Sequence, residues 1–202
     1  MGSKLHRAGA IILSLFIVSH LIVHLSAYWG IAAHLSALDA VQWIYRNPLG
    51  EALLVVIILS QIFTGARRLR FKGQTGWARI QVLSGAYLLM FLFVHTSAAV
   101  YTHHIYGLET DFYWAAGSMH FDPIRWGFAV YYILAILAFF SHIAAAIHFN
   151  WSGAPTWLTR GLPVFGFMIG SAIVYVFWGN LYPIELSPEV EQYYGKYLQR
   201  AL

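Results

Sequence analysis

The sequence predicts an all-α integral membrane protein: a bundle of five transmembrane helices with its N-terminus inside and its C-terminus outside. Three observations predict it. Charged residues make up 10% of the chain and hydrophobic ones 59%, where a soluble domain carries roughly 25% charged residues to cover its surface. The apolar residues gather into five runs, each of roughly the twenty residues that cross a ~30 Å hydrocarbon core at about 1.5 Å per residue. Basic and acidic residues separate onto opposite sides of those runs.

The runs cover about 7–29, 49–66, 80–102, 126–149 and 162–182, within a single membrane domain spanning 1–202. Lipid offers nothing to bond a free backbone amide, so each run closes its own hydrogen bonds as a helix. The first run does not read as a cleaved signal peptide, because histidines interrupt its apolar core and a small-residue cleavage site is missing. Lys4 and Arg7 precede the first run, Arg67, Arg68, Arg70, Lys72 and Arg79 lie between the second and third, and Arg160 precedes the fifth. All eight acidic residues fall on the other side. The positive-inside rule then sets the orientation, in a bacterial inner membrane or its mitochondrial counterpart. The net charge of +4 belongs to that topology and makes no case for nucleic acid.

The connections on the acidic side are the longer ones. Residues 30–47 read as a short interfacial helix, and 103–125 as an aromatic, mildly acidic segment. In the tail, Ser187 is placed to cap a helix with Pro188 at its first position. Gly166 and Gly170 form a G-x-x-x-G on the fifth run, the spacing of close helix packing.

With no cysteine in the chain, disulfides, iron–sulfur clusters and covalently attached haem are excluded, and a metal centre must use histidine. There are ten histidines, and their depths matter. Counting from Arg7, His20 lies ~20 Å and His24 ~26 Å along the first helix, and counting from Arg79, His95 lies ~24 Å along the third. His20 and His95 therefore share a level in the outer half, whereas His142 on the fourth helix falls in the inner half. Ionisable groups in a bilayer are costly and mark function by default. Two neutral imidazoles at one level on different helices suit bis-histidine ligation of a b-type haem, for which a helix bundle is a usual home. The bland alternative is that each only hydrogen-bonds a neighbouring helix. His34, His103, His104 and His120, in the connections, read as solvated.

The chain also reads as a duplicated helix pair followed by a final helix. Gly9 to His20 (GAIILSLFIVSH) resembles Ser84 to His95 (SGAYLLMFLFVH), and Ser60–Leu69 (SQIFTGARRL) lies over Ser141–Asn150 (SHIAAAIHFN) with Gln61 on His142. Such a pseudo-repeat, helices 1–2 on helices 3–4, has its axis along the membrane normal.

Over roughly Ser3 to Asn150 this pattern resembles the membrane-anchor cytochrome b subunits of succinate dehydrogenases and fumarate reductases. Ser84, Gly85 and His95 look like that family's distal haem-ligand helix, with His20 as the matching ligand. Gln61, Gly65, Arg67 and Arg68 look like its His-x3-Gly-x-Arg-His helix ending. Ser3, His6 and Arg7 look like its Ser-x-x-His-Arg opening, which borders a quinone site. The resemblance implies haem b between His20 and His95, a quinone, and soluble flavoprotein and iron–sulfur partners on the inner face of a respiratory-chain complex. Gln61 stands where the family has a ligating histidine, so the site of Gln61 and His142 is expected to hold a five-coordinate haem on His142, a quinone, or nothing. Arg67 and Arg68 suit haem propionates or a quinone carbonyl, and equally the positive-inside signal and anionic lipid. Two further readings are a stand-alone haem–quinone oxidoreductase and a haem-free assembly subunit. Carriage of a proton or small ion along the histidines has little support, because acidic residues are missing from the spans.

Overall fold

The computed structural model describes residues 2–73 and 75–199, and these are helical with no strand among them. Helix α1 (Gly2–Ser26) tightens into a 3-10 turn at Ala27–Trp29, and Gly30, at φ +110°, swings the chain into α2 (Ile31–Tyr45). Asn47 caps α3 (Pro48–Ala66) by accepting the Gly50 N–H at 2.9 Å, with Pro48 in the first turn where its missing N–H costs nothing. Helix α4 (Gly76–Val100) runs on as a π-helical segment, Tyr101–Tyr106, and stops at Gly107 with φ +76°. A short helix α5 (Phe112–Gly117) follows, capped by the Asp111 carboxylate on the N–H groups of Tyr113 and Trp114. Then come α6 (Ile124–Asn150), α7 (Thr156–Phe177) and α8 (Pro188–Gln199).

Five of these helices are long and apolar enough to cross a membrane: α1, α3, α4 with its extension, α6 and α7. The fifth differs in register from the sequence expectation of 162–182. It begins at Thr156, directly after the extended Pro155, and ends at Phe177 because Gly179 at φ +84° breaks away. Tyr182 therefore lies outside the helix, where its hydroxyl donates to the Ala27 carbonyl at 2.7 Å. In α8, Ser187 Oγ accepts from Val190 N at 3.4 Å, with Pro188 at the first helical position as expected.

The long helices follow one another around a ring: α1 against α3, α3 against α4, α4 against α6, α6 against α7, and α7 back against α1. At one end, here the basic end, the ring is tied by Arg7 Nη2 donating to Asn150 Oδ1 (3.2 Å) and by Trp77 stacked on His148. At the opposite, acidic end it is tied by His104 on Glu51 and Arg46 on Thr110. Large apolar side chains such as Leu15, Val56, Phe93 and Phe167 point outward, the arrangement of a lipid-facing wall.

The closest pair is α6 with α7. A methyl on Gly166 would lie 2.7 Å from the Phe140 ring, and one on Gly170 would lie 3.2 Å from the Ile133 backbone. The G-x-x-x-G is thus the surface through which the two helices touch. At the acidic end α8 clamps α5: the Tyr194 hydroxyl donates to the Trp114 carbonyl at 2.7 Å, and Tyr193 shares a 2.7 Å hydrogen bond with Thr102.

Candidate functional site

A ring of helices leaves a centre to fill, and here it holds two cavities. The first, of about 250 Å³, takes wall residues from α1, α2, α3, α4, α5, α6 and α7. His20, His24, His34 and His95 line it together with Phe91, Phe139, Trp114 and Phe177.

The His20 and His95 rings lie with their centres 6.3 Å apart and their planes at 64°. Two imidazoles on opposite sides of one metal ion stand about 6 Å apart, from about 2 Å of metal–nitrogen bond plus about 1 Å to the ring centre on each side. The pair is therefore at the separation that axial ligation requires. His95 is held by stacking on Phe91 at 5.0 Å, and His20 stacks on Phe16 at 5.8 Å. Among the described residues no group of three or more His, Asp or Glu side chains is placed to hold a bare metal ion. A haem asks for less, because its macrocycle already supplies four of the six ligands.

The same histidines also touch one another. His24 Nε2 lies 3.0 Å from His20 Nε2, and His24 Nδ1 lies 3.3 Å from His34 Nε2. Each contact needs one protonated and one bare nitrogen, so the three rings form a directed chain. His34 Nδ1, at its end, is buried without a hydrogen-bond partner. Sequence reasoning placed His34 in water; it is 1% exposed. The reason is that α2 packs its His34–Leu38 stripe onto α1, Phe112 and Phe177. Burial, and secondarily the charge of nearby His20, lower the His34 pKa from 6.5 to about 4.

Towards the acidic end this cavity becomes polar. Its mouth is formed by Tyr45, Arg46, Glu51, His103, Thr110 and Asp111. None of these had been singled out from the sequence as a site residue. Arg46 carried a signal all the same, as one of the few basic residues on the acidic side.

The second cavity, of about 360 Å³, lies towards the basic end and is lined by His6, Gln61, Arg68, Gln81, Gly85 and His142 among others. Two tautomers follow from its hydrogen bonds. Ser84 Oγ gives its hydrogen to Ile80 O at 2.7 Å, so it accepts from His142 Nδ1 (3.2 Å), which also donates to Gln81 O (3.2 Å). Thr64 Oγ1 gives its hydrogen to Ser60 O at 2.6 Å, so it accepts from His6 Nδ1 at 2.9 Å. Both neutral rings then keep a bare Nε2.

Gln61 does not face His142 as a ligand. Its Nε2 donates to the His6 carbonyl at 2.9 Å and lies against Gly9, whose missing side chain makes the room. Gln61 is thus engaged by the backbone of α1 and adds no ligand opposite His142.

Arg68 borders this second cavity, whereas Arg67 lies over the Phe63 ring at 5.3 Å; neither reaches the cavity of His20 and His95. Arg7 is engaged by Asn150. The Ser3 side chain lies outside the described residues. Comparison of the chain with protein-family models, with curated proteins and with solved structures finds no match.

Proposed function

We propose that this protein is a haem b-binding membrane subunit that passes electrons between a quinone and soluble flavoprotein and iron–sulfur partners, as the succinate/fumarate–quinone anchors do. The observation that carries the reading is the pair His20 and His95, on separate helices, 6.3 Å apart across an aromatic-walled cavity. Haem bound there supplies one-electron transfer between ferrous and ferric iron. His20 and His95 would hold the haem iron. Phe91, Phe139 and Trp114 would keep water from the site, and burial is one of the levers that set the potential. In the second cavity the bare Nε2 atoms of His6 and His142 are acceptors for the hydroxyls of a reduced quinone, and Arg68 is a donor for a carbonyl. The charge separation puts the basic end inside, where the partners would dock, and an internal duplication explains why His20 and His95 share a level. Which partners bind is carried by the resemblance alone.

The test is a reduced-minus-oxidised visible spectrum of the purified protein, with haem counted as its pyridine adduct. One b-type haem per chain is expected, and its loss in both His20→Leu and His95→Leu. Full haem retention in either variant removes the ligand assignment. The contact of His24 with the ligating nitrogen of His20 favours a second reading, a haem-free subunit in which the three rings only tie α1 to α2. A protein that stays colourless when expressed with ample haem supports that reading instead.

A further inference from the structure

At the mouth of the histidine-lined cavity, charge and hydrogen bonding do not balance. Two carboxylates line it, and both have hydrogen-bond partners. Glu51 receives His104 Nε2 at 2.6 Å, and Asp111 receives the N–H groups of Tyr113 and Trp114 at 2.9 and 3.2 Å. The one guanidinium does not have its natural partner. Arg46 is half-buried and donates to Thr110 Oγ1, a neutral oxygen. It takes part in no ion pair among the described residues. A guanidinium has five N–H donors in a flat fork suited to carboxylate, so most of its capacity is left for whatever enters the mouth. Beside it, His103 Nδ1 is buried without a hydrogen-bond partner and stands 3.7 Å from the exposed carboxylate of Glu109, at ion-pair distance. Thr110, having accepted from Arg46, keeps its own hydroxyl hydrogen to give.

The opposite end of the cavity is built from Leu13, Ile58, Leu88 and Phe139. A ligand that fills the whole space is therefore apolar along its body, meets two imidazoles in the middle, and carries acid groups at one edge. We propose that the cavity mouth is a carboxylate seat, in which Arg46, with Thr110 and His103, holds the acid edge of the bound porphyrin and so fixes which way it enters. This rests on the haem reading. It adds the orientation of the ligand, acid edge towards Arg46 and apolar edge towards Ile58. It also assigns the role to Arg46 rather than to Arg67 and Arg68, which lie at the other end of the ring.

The experiment compares two ligands that differ only in their acids: haem, and haem with both propionates methylated. Each is titrated into detergent-solubilised haem-free protein, and binding is followed by the Soret band. Wild-type protein is expected to bind the diacid at least about tenfold more tightly than the diester, since a charge-assisted pair is worth about 1.5–3 kcal/mol against about 1.4 kcal/mol for each factor of ten. In Arg46→Gln that preference should fall to within about twofold, with a wild-type far-UV helix signal showing that the variant is folded. Arg46→Lys, which keeps the charge but not the fork, should fall between them. A wild-type protein with no preference, or an Arg46→Gln variant that keeps the wild-type preference, overturns the carboxylate seat and leaves the haem reading intact. A wild-type protein that binds neither ligand overturns both.

Discussion

Replacing Gly166 with alanine tests whether α6 and α7 are held together by their backbones. The new methyl would lie 2.7 Å from Phe140 Cδ2, 2.8 Å from its Cβ and 3.0 Å from its Cγ, where carbon atoms prefer about 3.5–4.0 Å. The conflict with Cβ is the serious one, because no rotation of the ring relieves it. Phe140 is also confined by edge contacts with Phe139 at 5.3 Å and Phe165 at 5.2 Å. Overpacking of this kind costs about 1–3 kcal/mol, and the overlap at Cβ puts Gly166→Ala in the upper half of that range. Against it stands the gain of about 1 kcal/mol for replacing glycine inside a helix. Gly161 lies on the same helix, and a methyl added there would meet nothing within 4 Å, so Gly161→Ala receives the gain without the clash. The difference between the two variants cancels the helix term and leaves the overpacking cost, about 2–3 kcal/mol. For a chain of this size it separates their melting temperatures by about 5–10 °C, at about 2–4 °C per kcal/mol. Thermal unfolding in detergent, followed by tryptophan fluorescence, reads the difference directly. Melting temperatures that agree within about two degrees would refute the close contact between α6 and α7.

Two further outcomes are expected. Because the folded His34 titrates near 4, between pH 6.5 and about 4 the unfolded imidazole holds a proton that the folded one lacks. Its contribution is full above pH 6.5 and is lost as pH falls through that window, up to about 3 kcal/mol at about 1.4 kcal/mol per unit. In haem-free protein His34→Gln should flatten this part of the melting-against-pH curve, and an unchanged slope argues against burial of His34. Gly85→Ala places a methyl 3.1 Å from His142 Cε1, and that ring is held at its Nδ1 by Ser84 and Gln81. It should weaken quinone-analogue binding several-fold, about 1 kcal/mol, and leave haem content unchanged. Parallel loss of both would mean that the two cavities are not separate sites.

The five spans were legible because length, hydropathy and the segregation of charge all follow from the solvent that surrounds the chain. The approach of His20 to His95 was legible for a related reason: a helix rises by a fixed amount per residue, so depth can be counted. What could not be counted was the path of a connection. His34 looked like a surface residue because nothing in the polarity of 30–47 says whether that helix lies along an interface or folds in over α1. Arg46 was hidden by the same segment. Its partner Thr110 sits on a different connection, and two loops meeting across the end of a bundle leave no period in either sequence. The register of the fifth helix was missed because apolarity continues past Phe177, whereas the break is set by the positive φ of Gly179. Gln61 was visible as a departure, but its actual bond, to the backbone of His6 across Gly9, could be seen only once α1 and α3 were side by side.

The clamp of α8 on α5 bears on the order of events during synthesis. The wall that Trp114 adds to the histidine cavity is pinned from α8, through the Tyr194 hydroxyl on the Trp114 carbonyl. His20, on α1, is made well before α8, so its chamber lacks this closure until α8 is in place. A chain made only as far as α7 leaves the Trp114 wall unpinned. Truncation before Pro188 would thus act on the timetable of maturation, leaving the receptacle open after the ribosome has let go.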